Sequence, residues 1–251
     1  VISGGSDGIF ITSANNAEYR GNSFQDVRFA IHSMYSNGLT VVGNQSMGNE
    51  LGFAFMYSHH VTVERNVSEN DRTHGFFLNF VNYSSLVGNE VRAGGEKCLF
   101  VYNANKNEVL ENRFEGCDIG IHFTAGSEGN EIIGNAFVGN RNQVKYVGSR
   151  WLEWSVDGQG NYWSDQVAFD INGDGIADSS YRPNDLIDRI AWSQPMSKLL
   201  MGSPAVQLIR WSQSRFPGLM PGGVIDSHPL MNSEGTGLRS QLEQNEIQHV
   251  R

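Results

Sequence analysis

Asparagine returns at a fixed interval through the first part of the chain, at Asn22, Asn44, Asn66, Asn89, Asn112 and Asn135, each after a Gly, Arg or Glu. The interval is 22 or 23 residues. A constant period of that size marks a solenoid, whose repeats bury their apolar sides only against their neighbours. Fourteen residues before the first five asparagines stands a small residue, Gly8, Ala30, Gly52, Gly75 or Cys98. Gly120 is out of step by one, as an insertion in Gly126-Ser127-Glu128-Gly129 would make it. Beyond each small residue the side chains alternate with the period of a strand. One position on come Ile9, Ile31, Phe53, Phe76, Leu99 and Ile121; three on come Ile11, Ser33, Phe55, Leu78, Val101 and Phe123. Both sets are read as facing inward.

A second short strand runs through Val41, Val63, Leu86 and Val109, and a third through Phe24, Val91, Phe114 and Phe137, with Ser46 and Ser68 in the intervening coils. Three strands per coil, joined by Gly/Asn/Ser/Asp corners, predict an all-β fold: a right-handed, single-stranded parallel β-helix with about 4.8 Å between coils. A leucine-rich repeat is excluded, because neither a regular Leu pattern nor a helical segment recurs. The corner asparagines are expected to bond along the axis through stacked amides and to supply the left-handed backbone of tight corners.

Acidic residues outnumber basic ones by 27 to 18, for a net charge of −9. Nothing basic therefore invites nucleic acid or an anionic membrane. Apolar runs fall far short of the roughly 20 residues that a membrane span needs, so any membrane connection is expected through a partner. The sequence opens at a valine inside the repeat pattern, from which upstream coils and any leader are expected to lie outside it. Two cysteines, Cys98 and Cys117, are too few for a disulfide framework and are read as small buried residues.

The outward positions of the first strand are the informative ones. Two positions after the small residue stand Phe10, His32, Ala54, Phe77, Phe100 and His122; four after stand Thr12, Met34, Met56, Asn79, Tyr102 and Thr124. A solvated face would be Thr, Lys, Glu and Asn, whereas this one is aromatic, thioether and imidazole. Met34 and Met56 are equivalent in successive coils, about one rung of 4.8 Å apart. His32 shares their face, His59 falls at the corner after Met56, and His74 lies close to the next strand. Imidazole with thioether suits a thiophilic ion, and among biological metals Cu(I) leads. His32, Met34, Met56, His59 and His74 are the copper candidates. Packing against a partner or another part of the chain is the competing explanation of the same face. His60 and His122 are set aside, the first for its direction and the second for its distance. Neither outward row holds an Asp or Glu, so sugar cleavage by paired carboxylates is not expected, while carbohydrate binding on the aromatic row stays open.

After Arg150 the repeat stops and Trp151, Trp154, Tyr162 and Trp163 arrive together, as at the covered end of a solenoid. The run Asp170 to Asp178 opens like a calcium loop, with oxygen ligands at Asp170, Asn172, Asp174, the Ile176 carbonyl and Asp178. The place of the bidentate Glu is taken by Tyr181, which makes a structural calcium clip the most that is expected. From Asn184 the apolar period becomes helical, with Pro195 and Pro204 as punctuation. The chain thus divides into coils over 1–150, a solenoid end with the acidic loop over 151–183, a helical extension over 184–216, and an extended arm with a mobile tail over 217–251.

Met56-Tyr57-Ser58-His59, Asn161-Tyr162-Trp163-Ser164-Asp165, Tyr181-Arg182-Pro183-Asn184-Asp185-Leu186 and Val224-Ile225-Asp226-Ser227-His228-Pro229-Leu230-Met231 together resemble the NosD family. These are periplasmic β-helical accessory proteins needed to build the copper centre of nitrous oxide reductase. The resemblance implies a non-enzymatic scaffold or copper carrier. It also implies work with an ABC transporter permease and its ATPase, a copper chaperone lipoprotein and the reductase. On that view the helices and arm after Asn184 grip the permease, and the His/Met face holds copper or meets the chaperone. A carbohydrate-binding or polysaccharide-modifying β-helix is the alternative.

Overall fold

The computed structural model describes residues 1–183, 203–205, 208 and 222–234. Within them the chain winds as a right-handed parallel β-helix of about seven turns. The first strand of each coil is six residues long: Asp7–Thr12, Phe29–Met34, Leu51–Met56, His74–Asn79, Lys97–Tyr102, Ile119–Thr124 and Asn142–Val147. They form one sheet in sequence order, and six three-residue strands and eight strands of two or three residues form the other two. Every rung pairs equivalent repeat positions in parallel, as in Ile31 with Phe53, Phe53 with Phe76 and Phe76 with Leu99. Like side chains therefore stack down the column. Phe53 lies on Phe76 at 5.0 Å, and Phe114, Phe137 and Trp163 succeed one another at 5.4 and 4.4 Å. These rings are buried, and each contributes about 1.5–3 kcal/mol by leaving water.

The asparagine corner behaves as a chain of amides. Each Nδ2 donates to the Oδ1 of the next asparagine, from Asn22 through Asn44, Asn66, Asn89, Asn112 and Asn135 to Asn161, at 2.9 to 3.0 Å. Each of those oxygens also accepts the backbone N–H of the preceding asparagine, as Asn89 Oδ1 does from Asn66 at 2.9 Å. The left-handed backbone does not sit on these asparagines. It belongs to the residue before each, Gly21, Gly43, Arg65, Gly88, Glu111 and Gly134, all at positive φ. The corner divides its tasks: one residue bends, and the next bonds.

The solenoid end is closed by the described part of the arm. Gly223–Ile225 pairs in parallel with Trp151–Glu153, and Trp154 and Trp163 lie buried behind it. The buried Asp226 carboxylate accepts from the Asn161 backbone N–H at 2.7 Å and from the Trp163 indole N–H at 2.8 Å. Burial pushes this carboxyl up, and the hydrogen bonds it accepts pull the other way. The amide chain, with all its N–H ends directed toward the arm, thus ends on an anion at its positive pole.

Cys98 and Cys117 are joined in a disulfide, with Cα atoms 5.7 Å apart, rather than standing as two free buried thiols. Their separation of 19 residues is a little short of one full coil, so the chain has come round and brings Cys117 over Cys98. The helical extension expected over 184–216 lies outside the described residues except for 203–205 and 208, and so does the tail beyond 234.

Candidate metal centre on the outer sheet

Alternation along the first strand is broken at the small residue. Ala30 and Cys98 belong to the core, and a Cβ at Gly8 would come within 2.4 Å of the Phe24 ring, so this position faces inward as does the residue after it. Two consecutive inward residues bring the preceding one to the outside. The outer face therefore carries a third column, Asp7, Phe29, Leu51, His74, Lys97, Ile119 and Asn142, beside the two read from alternation.

Asp7 in this column is the residue that alternation missed. Its Oδ2 lies 2.9 Å from Nδ1 of His32, whose side chain is only 12% exposed. Its Oδ1 accepts from Arg28 Nη2 at 2.8 Å and Nε at 3.2 Å. Burial would raise the Asp7 carboxyl, but hydrogen bonds from His32 and Arg28 outweigh it and hold the group below the usual carboxylate range. The His32 ring is further fixed by stacking on Phe29 at 4.6 Å and by the edge of Phe10 at 5.1 Å. Its Nε2 is buried and has no hydrogen-bond partner among the described residues.

Met34 and Met56 are paired rungs of the column next to His32, and both are half-buried. Between His32 and Phe77 in the central column stands Ala54, the one small residue there, fully buried under its neighbours. Asn79 follows Met56 in register, and its Oδ1 is also buried without a partner among the described residues. The structure thus brings His32, Met34 and Met56 onto one patch of adjacent rungs. An imidazole nitrogen lone pair beside two thioethers is a soft donor set of the kind that takes Cu(I).

The other two copper candidates stand apart from that patch. His74 occupies the new column two rungs from His32, and its ring meets the edges of Phe77 and Phe100 at 5.7 and 5.5 Å. Burial holds its imidazole below the usual range against a hydrogen bond with the Thr73 backbone, and Nδ1 has no partner among the described residues. His59 is exposed beyond a corner, in register between Asn37 and Asn82, with its ring 6.5 Å from Tyr83. His122, stacked on Phe100 at 4.6 Å, is lowered to about 4, first by burial and then by Lys145 and Lys97.

The aromatic side chains of the face are stacked on one another. Phe77 and Phe100 are 5.0 Å apart and 11° from parallel. At the corner that ends these strands, Tyr35, Tyr57 and Phe80 form a second stack at 5.1 Å intervals, exposed by 56, 41 and 39%. All three have φ near +50°, which bulky residues rarely adopt. Their faces are spent on each other and their edges look outward.

The carboxylates of the acidic loop accept hydrogen bonds from its backbone and from the Asn172 side chain. Asp170 accepts from Gly173 at 2.6 Å and Gly175 at 2.8 Å, Asp174 from Ile176 at 2.8 Å and Asn172 at 2.9 Å, and Asp178 from Ile171 at 2.7 Å. Among the described residues no three His, Cys, Asp or Glu side chains are grouped as a metal site would require.

Residues 1–168 match the family described as periplasmic copper-binding protein (NosD). A curated relative from Stutzerimonas stutzeri, named "Probable ABC transporter binding protein NosD", is 49% identical over 193 residues, which cover 71% of this chain and 44% of that protein. A protein of the same name from Pseudomonas aeruginosa is 48% identical over 187 residues, covering 69% of this chain and 44% of its own length. The chain spans less than half the length of these curated relatives. On the extent of the family match and the identity to these relatives, the chain belongs to the NosD family of periplasmic copper-binding proteins.

Proposed function

We propose that this chain is a non-enzymatic copper-handling accessory of an ABC transporter, acting in the periplasm in assembly of the copper site of nitrous oxide reductase. The ion is Cu(I), held on the outer sheet by Nε2 of His32 and the thioethers of Met34 and Met56. One observation carries the reading: a buried imidazole nitrogen without a partner stands beside paired methionines, while the ring's other nitrogen is held by a carboxylate. Leaving a buried polar atom unmatched costs about 1–3 kcal/mol, a cost that coordination of an ion by this nitrogen would offset. Two thioethers and one imidazole without a charged ligand suit an ion that must be passed on. His59 and His74 are secondary positions, for docking or transfer, since neither shares the patch.

The relatives' name supports an ABC transporter as partner; its permease and ATPase, a copper chaperone lipoprotein and the reductase are the partners proposed with it. The exposed Tyr35, Tyr57 and Phe80 edges favour a protein partner. Carbohydrate recognition stacks a sugar on an open ring face, and Tyr57, between Tyr35 and Phe80, offers none. A Cu(I) competition titration of the apo protein tests the site. Changing His32, Met34 and Met56 together to Ala is expected to abolish high-affinity binding, and unchanged affinity would overturn the assignment. A pull-down of the chaperone or permease, set beside a glycan array without hits, tests the partner class.

A further inference from the structure

We propose that Asp7, oriented by Arg28, is the positioning residue of the centre: it fixes the His32 hydrogen on Nδ1 and thereby turns a bare Nε2 toward the thioethers. The proposal rests on the copper reading above and goes beyond it, because it assigns a residue that binds no ion.

Donors and acceptors decide the tautomer. Arg28 can only donate, and its Nε and Nη2 both point to Asp7 Oδ1. The carboxylate can only accept, so its remaining oxygen, Oδ2 at 2.9 Å, requires a hydrogen on Nδ1 of His32. A neutral ring then has its lone pair on Nε2. The two ring nitrogens point in widely divergent directions, and Nδ1 is directed toward the preceding coil, where Asp7 lies. Nε2 therefore looks away from that coil, toward the next one, where Ala54 pairs with His32 and Met56 with Met34. The Phe29 and Phe10 rings prevent the imidazole from turning over. Carboxylate, imidazole and ion in that order is the usual way in which an outer carboxylate orients a histidine ligand, and losing the outer group typically costs 10–100-fold in metal affinity.

The arrangement makes an unusual demand on an isosteric change. In Asp7→Asn the amide oxygen must serve Arg28, which leaves the NH2 group facing Nδ1. Nδ1 then has to accept, the hydrogen moves to Nε2, and the lone pair offered to the ion is lost. Changing Arg28→Ala in the same chain frees the amide to turn over and give its oxygen back to His32.

The test uses the whole chain without metal and reads the His32 tautomer from its ring 15N chemical shifts, followed by Cu(I) competition titration of the same samples. The parent chain is expected to carry its hydrogen on Nδ1, Asp7→Asn on Nε2 with a 10–100-fold weaker Cu(I) affinity, and the Asp7→Asn, Arg28→Ala pair again on Nδ1 with affinity recovered. A hydrogen on Nε2 in the parent, or an Asp7→Asn ring like the parent's, would overturn the assignment. The tautomer judges Asp7, whereas titration of the unaltered chain judges the copper reading, so either failure is recognised separately.

Discussion

The asparagine corner and the outer face of the first sheet are built by the same repeat, yet they treat buried polar atoms in opposite ways. At the corner the oxygen of each buried asparagine takes two hydrogens from the coil before, and its Nδ2 gives to the next asparagine and to a backbone carbonyl, as Asn89 does to Asn112 at 3.0 Å and Val63 at 2.8 Å. On the outer face, His32 Nε2, His74 Nδ1, His122 Nδ1 and Asn79 Oδ1 are buried and unmatched among the described residues, as is the inward Ser33 Oγ. The corner closes its hydrogen bonds within the fold, whereas the outer face leaves several open.

The largest expected effect lies at the corner. Asn89→Ala strands the Asn66 backbone N–H, the Asn66 side-chain amide and the Val63 carbonyl, and at about 1–3 kcal/mol for each unmatched group the loss should reach roughly 4 kcal/mol or more in urea unfolding. A loss under about 1 kcal/mol would show that the amide chain is decoration. Next comes the covalent tie between coils: replacing Cys98 and Cys117 by Ser is expected to cost about 3 kcal/mol by the same measurement, from a loop of this length.

Smaller effects belong to the outer face, with the opposite sign where the polar atom is removed. His122→Phe should leave stability unchanged or raise it by up to about 1 kcal/mol, because an unmatched nitrogen is replaced by a ring that continues the Phe77 and Phe100 stack. A clear destabilisation would mean that His122 has a structural partner. The same residue predicts a pH effect. Its folded pKa of about 4 lies below the ordinary histidine value of 6.5, so the unfolded chain binds the proton more tightly between those values. Stability should fall as pH drops from about 6.5 toward 4. The His122→Phe protein should show a shallower decline, and parallel curves for the two would remove the burial argument.

Most of the fold was legible because repetition multiplies a weak signal: six asparagines and six small residues at one period leave little choice of architecture. The inward rows, the paired Met34 and Met56 and the closed tryptophan end came from alternation and spacing. Asp7 did not, because strict alternation fails where two consecutive residues turn inward and shift the next column. The recurring small residue was itself the sign of that kink, since only a short side chain fits beside its inward neighbour. The disulfide escaped for a related reason: 19 residues look distant along a strand and lie close on a coil. By count His59 falls near Met56, but the turn at Tyr57 carries it onto another side.

The amide chain also gives the solenoid a grammar. Its hydrogens all run one way, so a further coil in front has only to offer another N–H, and nothing already in place needs to reverse. Behind Asn161 the last hydrogens meet Asp226, which in its ionised form takes hydrogens and has none to hand on. That carboxylate is the full stop of the sentence, and a strand that arrives from more than sixty residues away in the chain writes it.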